Sequence, residues 1–375
     1  MSDFKNSIAQ TNVQFPIETV IEPIAGENYS RALIYCPVSE AATFLPGVED
    51  ASAGNMVVLN SSNYGTVAGG LLLTWLVPFF TKAISAEVAI ALYDGSEEPA
   101  EGAKTLAVVY EATKYYAYFK FGISGSAYDA LQASLASLCL PDSLYSALWV
   151  GTSDSSVKTA QSTLIATLKG LNSNARVVYN PDSTINPALA QLGVSLSSVN
   201  ATGTPVGNSV DMVAFNTIKA SGSTDSDGNV LNLTPTEKLA LDEQKIAYQT
   251  YIGDGTENVV TEGSYTLNGD VVGAEWVKNY ITYLCKIKTA NYITRMNKFR
   301  NNATYQGIIL ILSEIVSGFV EMGRLADFTI SAPAFSQLPK SGDSITVPNA
   351  WSAQYIDNVR SVLIYGTLYI TQPTR

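Results

Sequence analysis

The chain has 375 residues, of which 46% are hydrophobic and only 15% charged, so it can bury a sizeable core and is not broadly disordered. It has no histidine, which excludes a Ser-His-Asp triad, a Cys-His dyad and the usual near-neutral pH switch. Net charge is −11: residues 278–375 carry ten basic and five acidic groups, and residues 1–277 carry twelve and twenty-eight. An acidic whole argues against nucleic-acid binding.

The three cysteines, Cys36, Cys139 and Cys285, lie far apart and lack zinc spacing, so they read as buried thiols rather than a disulfide framework or a metal site. The N-terminus has no basic region followed by an apolar core, so no signal peptide is expected. The most apolar run, LLLTWLVPFF (71–80), is half the length of a membrane span.

In chain order, residues 11–22 read as an extended arm, with Val13, Phe15, Ile17 and Ile21 on one strand face. Pro16 makes it an edge or added strand. Residues 29–38 form a strand, 47–70 a Gly-, Ser- and Asn-rich loop, and 86–93 an apolar strand. Residues 105–122 are ambiguous between helix and strand. The spacing over 126–140 predicts a helix stopped by Pro141.

A short buried strand at 146–152 precedes a helix over 155–170, capped at its end by Gly170. A strand at 175–180 and a helix over 185–199 follow. Alternation of strands and helices through 86–210 predicts an α/β layer with some parallel strands. The polar, turn-rich stretch 220–234 marks a domain boundary.

Thr234, Pro235 and Glu237 spell a helix start: N-cap, first-turn proline and capping-box glutamate. Residues 247–253 are a strand and 262–270 hairpin material, with Asn268-Gly269 as the turn. Two long helices follow. The first has an expected apolar face of Trp276, Tyr280, Tyr283, Leu284 and Ile287. The second, over 303–323, carries Ile308, Leu312, Ile315 and Phe319 and ends at Gly323. A loop at 331–354 leads to a final strand over 359–371, with Val362, Ile364, Leu368 and Ile370 on one face.

The chain offers little chemistry. Residues 122–125 lack phosphate-loop spacing. Residues 225–229 begin like a calcium loop, but the glycine is one position early and Thr236 stands where the bidentate glutamate belongs. No catalytic residue, cofactor site or metal site is expected, and the chain reads as non-enzymatic. The basic segment is a stronger signal: between Lys278 and Arg300 lie six cations and no acid. A cationic strip on an acidic protein attracts an anionic partner.

From residue 220 to 371 the order of features resembles the contractile tail sheath proteins of myophages, R-type pyocins and type VI secretion systems. The stretch IAYQTYIGDGTENVVTEGSYTLNGDVVGAEWVKNYITYL (246–284) carries the resemblance. It runs from a strand through a Gly-rich hairpin to an acidic-Trp start (Glu275-Trp276) of a long helix. The second helix, the loop and a terminal strand after Arg360 follow in the same order. The chain is short for that family, so large outer domains are not expected.

The resemblance implies a mixed α/β and α+β fold. Its expected parts are a linking arm at 1–27, an outer α/β domain at 28–219, a tube-facing domain at 220–354 with a sheet and two long helices, and a linking strand at 355–375. It further implies a homopolymer of stacked rings in the virion tail, assembled in the host cytoplasm, with tail tube, baseplate and tail-terminator proteins as partners. Nucleic acid and membrane are not expected partners. Terminal arms add strands to neighbours' sheets, and Lys286, Lys288, Arg295, Lys298 and Arg300 become candidates for tube contact. Rival readings are a tail tube subunit, which the two long helices disfavour, a surface adhesin, for which no export route is visible, and an enzyme.

Overall fold

The computed structural model describes residues 31–84, 86–94, 118–120, 133, 136, 148–171, 175–196, 214–215, 218–252, 259–263, 265–295, 302–338, 340–341, 344–345 and 350–356. The first elements are β1 (Arg31–Pro37), α1 (Val38–Phe44), β2 (Met56–Leu59), the single turn α2 (Tyr64–Val67), α3 (Gly70–Lys82) and β3 (Glu87–Tyr93). With β4 (Tyr118–Lys120) they build a four-stranded sheet in the order β2-β3-β1-β4. β1 is parallel to β3 and β4, while β2 is antiparallel to β3.

The expected loop at 47–70 therefore holds a strand and a helical turn. MVVL is only four residues long, and its pairing with β3 supplies the stability that local pattern does not. α3 runs through Pro78 to Lys82, because the proline sits buried on the core side and packing there outweighs one lost hydrogen bond. The helical spacing at 126–140 meets two described residues, Ala133 and Ala136, and both are helical.

The second sheet uses β5 (Trp149–Thr152), β6 (Arg176–Tyr179), β7 (Ala214–Phe215), β8 (Ala247–Tyr251) and β9 (Val259–Glu262), in the order β5-β6-β8-β9-β7. β5, β6 and β8 are parallel, and β8-β9 and β9-β7 are antiparallel. Its helices are α4 (Thr163–Gly170), α5 (Pro187–Ser195) and α6 (Pro235–Gln244). The expected single helix over 155–170 is broken instead. A 3-10 turn at Ser155–Thr159 ends in left-handed Ala160, and Ser162 caps a new start by accepting from the Ile165 amide. Gly170 is the last helical residue, and the cap falls on Leu171 in a right-handed conformation, so no left-handed glycine is used there.

α6 has the expected complete capping box: the Thr234 hydroxyl accepts from the Glu237 amide and the Glu237 carboxylate accepts from the Thr234 amide. The Asn268-Gly269 turn also forms. Gly269 has φ +89, and the Thr266 amide donates to the Asp270 carbonyl at 2.8 Å.

Side-chain alternation splits each sheet between two cores. Ala32, Ile34, Cys36, Val88, Ile90 and Leu92 face one core, which Phe79, Leu189, Trp149, Val178 and Ala247 also enter. Leu33, Tyr35, Ala89, Val150, Val177, Tyr179 and Tyr248 face the other, under α4 and α6. The first core continues into the C-terminal helices α7 (Val272–Arg295) and α8 (Asn302–Glu321). Both the second sheet and this core draw residues from each side of position 220, where the sequence places a domain boundary.

The buried row of α7 is Val277, Ile281, Cys285, Thr289 and Ile293. That row is rotated from the expected one: Leu284 and Ile287 are only half-buried at its margin. The side chains of Trp276, Tyr280 and Tyr283 lie outside the described residues. α8 buries Leu312, Ile315, Val316 and Phe319, close to expectation. It is long and apolar enough to cross a membrane by length and composition, and that buried row packs in the first core.

α8 ends at Gly323 (φ +69), where the Arg324 amide donates to the Phe319 carbonyl at 2.9 Å. Beyond it the chain forms β10 (Leu325–Ile330), a small hairpin of β11 (Lys340–Ser341) and β12 (Ser344–Ile345), and β13 (Trp351–Tyr355). β10 and β13 pair antiparallel as a two-stranded ribbon with a bulge between Leu325 and Asp327. The expected loop at 331–354 thus contains most of a returning strand.

Candidate assembly surfaces

The basic segment begins on α7. Lys278 and Lys288 are exposed on that helix. Lys286 and Arg295 belong to it by backbone, Arg295 as its last residue, and their side chains lie outside the described residues. Lys298 and Arg300 also lie outside them. So do both terminal strand candidates, Val13, Phe15, Ile17 and Ile21 at one end and Val362, Ile364, Leu368 and Ile370 at the other. Lys278 and Lys288 thus share one helix but lie nearly three turns apart along it, and of the five tube-contact candidates only Lys288 has a described side chain.

Each end of α7 carries a close approach between a tyrosine and a glycine. At its start, a Cβ on Gly273 would overlap the Tyr355 hydroxyl of β13. Near its end, a Cβ on Gly307 of α8 would overlap the Tyr292 hydroxyl and stand 2.6 Å from its Cζ. The missing side chains let the helices and the ribbon come together at these two points.

The ribbon is covered on one face only. Phe328, Ile330, Trp351 and Tyr355 pack on the first core, and Thr329, Ser352 and Gln354 point to solvent. Among the described residues no third strand pairs with either ribbon edge. Sequence reasoning passed over this element. Its signal was the period-two run Trp351, Ala353, Tyr355, opposite a strand whose own period is interrupted by the bulge.

Arg176 gave no signal at all in the sequence, yet its side chain is 1% exposed. Its guanidinium donates to the Tyr265 carbonyl at 2.8 Å, to Gln191 Oε1 at 2.9 Å and to the Gly263 carbonyl, and it lies over the Trp149 ring at 5.9 Å. The Leu267 amide donates to the Ala175 carbonyl at 2.8 Å beside it. Together these bonds moor Gly263, Tyr265 and Leu267 to the start of β6, and α7 starts a few residues after them. A planar fork of donors suits several carbonyls at once, which a lysine could not match.

The remaining chemistry is quiet. Burial pushes the Cys36 thiol up to about 12, with Glu40 adding to it, and burial likewise pushes Cys285 up to about 12 against a small opposing effect of Lys288. Both thiols are buried and free, while Cys139 lies outside the described residues. Asp225 spends its carboxylate on the amides of Asp227 and Asn229, so the calcium-like stretch is a self-satisfied turn. Among the described residues no group of histidine, cysteine, aspartate and glutamate could hold a metal.

No family model matches the chain, and no curated protein matches it. Solved structures do. A chain of the anti-feeding prophage helical sheath in its contracted state superposes with a TM-score of 0.63 at 12% identity, over 95% of this chain and 99% of that one. A chain of the anti-feeding prophage baseplate gives 0.59 at 11% identity, over 96% and 100%. A sheath tail protein of Listeria innocua gives 0.41 at 10%, over 88% and 91%. With both chains covered almost end to end in the first of these, the protein has the fold of a contractile sheath subunit.

Proposed function

We propose that this protein is the structural subunit of a contractile tail sheath, polymerising helically around an inner tube and contracting without a cofactor. The observation that carries the reading is the near end-to-end likeness to a subunit of a contracted helical sheath. The likeness to a baseplate chain supports a role for the same fold where the sheath meets its baseplate. A sheath needs no catalytic site, because contraction releases free energy held in the packing of an extended, metastable polymer. Its place is the virion tail, where it drives the tube through the host envelope for genome ejection.

In this reading the two-stranded ribbon is the docking platform. Two strands are marginal alone, and an antiparallel pair with one covered face gains most from added strands. The segments around Val13–Ile21 and Val362–Ile370 of neighbouring copies supply those strands. Contacts that repeat head to tail without closing build an open helix. The division into arm, outer domain, tube-facing domain and linking strand belongs to the same proposal. So do the tail-terminator contact and the grip of Lys286, Lys288, Arg295, Lys298 and Arg300 on an acidic tube. Exposed charge pairs give about 0–1 kcal/mol each, and repetition along a tube multiplies a reversible grip.

Negative-stain microscopy of the purified full chain tests the reading. Striated tubes of uniform width are expected, and they should vanish on deleting residues 1–22 or truncating after Val359. Soluble monomers at all concentrations, or normal tubes from either truncation, would overturn it for the whole chain or for that end. Replacing Arg295, Lys298 and Arg300 with glutamate should weaken tube-bound sheath and spare tube-free polymer.

A further inference from the structure

We propose that Tyr355 and Gly273 form a positioning joint that sets the orientation of the β10-β13 ribbon, and of its two edges, on α7. The joint is read from the monomer, and only its consequence for assembly rests on the sheath reading above.

Four observations converge on it. Gly273 is the second residue of α7, and a Cβ there would overlap the Tyr355 hydroxyl. Tyr355 is the last residue of β13 and is register-paired with Leu325, the buried first residue of β10. Pairing runs one residue further, since the Ile356 amide donates to the Arg324 carbonyl at 3.0 Å. The bulge between Leu325 and Asp327 lies at the same end, with the Phe328 amide donating to Asp327 Oδ1 at 2.7 Å.

A two-stranded ribbon resists twisting poorly by itself. Its far end is held by Ile330 and Trp351 on the core. Its near end is held where Tyr355 enters the space that Gly273 leaves open. The bulge increases local twist there, so a small displacement of the tyrosine turns both ribbon edges. α7 is itself moored upstream through the loop that Arg176 holds, which makes the joint a fixed point relative to the second sheet.

Hydrogen exchange on the soluble full chain, alongside tube counts, tests this. Gly273→Ala should speed exchange of the Ile356 amide on the order of tenfold while helix content stays at the wild-type level. Adding Tyr355→Phe should return exchange to near wild type, because removing the hydroxyl leaves only the ring edge, with Cζ 3.2 Å from the new methyl group. Tube yield should follow the same order, lost in the single variant and recovered in the double. Should Gly273→Ala fold poorly, Tyr355→Leu removes the same contact from the other side and must loosen Ile356 with α7 intact. Wild-type exchange in Gly273→Ala or Tyr355→Leu, or a double variant no better than Gly273→Ala, would overturn the joint. If the wild-type chain forms no tubes, the sheath reading fails, and the exchange data decide the joint alone.

Discussion

The second sheet and the ribbon are both built from short strands, but they end differently. The sheet has five strands, helices against both faces and a buried arginine tying its flanking loop to β6. Among the described residues the ribbon has two strands, one covered face, and polar residues on the other. A sheet completed within its own chain satisfies its backbone and its apolar surface locally. A ribbon with no third strand among the described residues is stable only as an appendage to a core, and in the proposed reading its edges take added strands. The contrast separates residues that hold the fold from residues that would serve assembly.

The sharpest way to break this contrast is at Arg176. Arg176→Leu leaves the carbonyls of Gly263 and Tyr265 and Gln191 Oε1 without that donor in a buried site, and should cost about 3 kcal/mol or more. The urea midpoint measures it. Arg176→Lys should recover only part, since an ammonium cannot reach all three with a planar fork. A wild-type midpoint in Arg176→Leu would remove the arginine from the account of the sheet.

A second test lies between the long helices. Gly307→Ala should gain about 1 kcal/mol of helix propensity. It should lose about 1–3 kcal/mol to overpacking against Tyr292, for a net destabilisation. Here Tyr292→Phe should not rescue it, because the new methyl group also meets ring carbons at 2.6 and 3.0 Å. Rescue would show that the α7-α8 contact is as forgiving as the Tyr355 joint.

The sheet's own helix supplies a smaller effect. Thr234→Ala removes half of the capping box and should cost about 1 kcal/mol in thermal or urea unfolding. The Lys158 ammonium, 2.8 Å away, and the Thr234 bonds hold the Glu237 carboxyl below its ordinary range, and the Glu237 bond raises Lys158. Glu237 therefore adds stability above the ordinary carboxylate pKa of about 4.3, and this is lost as pH falls through its lower folded value. Lys158 adds stability below about 10.4, lost as pH rises through its higher folded value. Glu237→Gln should flatten both limbs of a stability-pH curve and leave the neutral-pH fold intact.

The smallest effect on the monomer belongs to the ribbon. Thr329→Lys with Gln354→Lys should change the unfolding midpoint by no more than about 0.5 kcal/mol, because both side chains already point to solvent. Tube yield should fall nonetheless, since lysines on an edge strand oppose strand addition. Tubes at wild-type yield would show that the ribbon's open edges are not where neighbours attach.

Much of this fold was legible in residue order. The near-continuous apolar runs in RALIYCP and EVAIALY mark strands, and they end up buried on both faces because successive side chains point to opposite sides and both sides are apolar. Thr234, Pro235 and Glu237 close their own hydrogen bonds, and Gly269 and Gly323 adopt positive φ where glycine alone is unstrained, so each of these signals is local and survives without partners. What depended on partners was not legible. The buried row of α7 runs through Val277, Ile281 and Cys285, in the core it shares with α8, and the expected Leu284 and Ile287 only border that row. Pro78 stays inside α3, Arg176 is buried, and β13 returns along a bulged β10. In each case a residue unsuited to its position by local rules is held there by contacts distant in sequence, and those contacts exist only once the tertiary structure has formed.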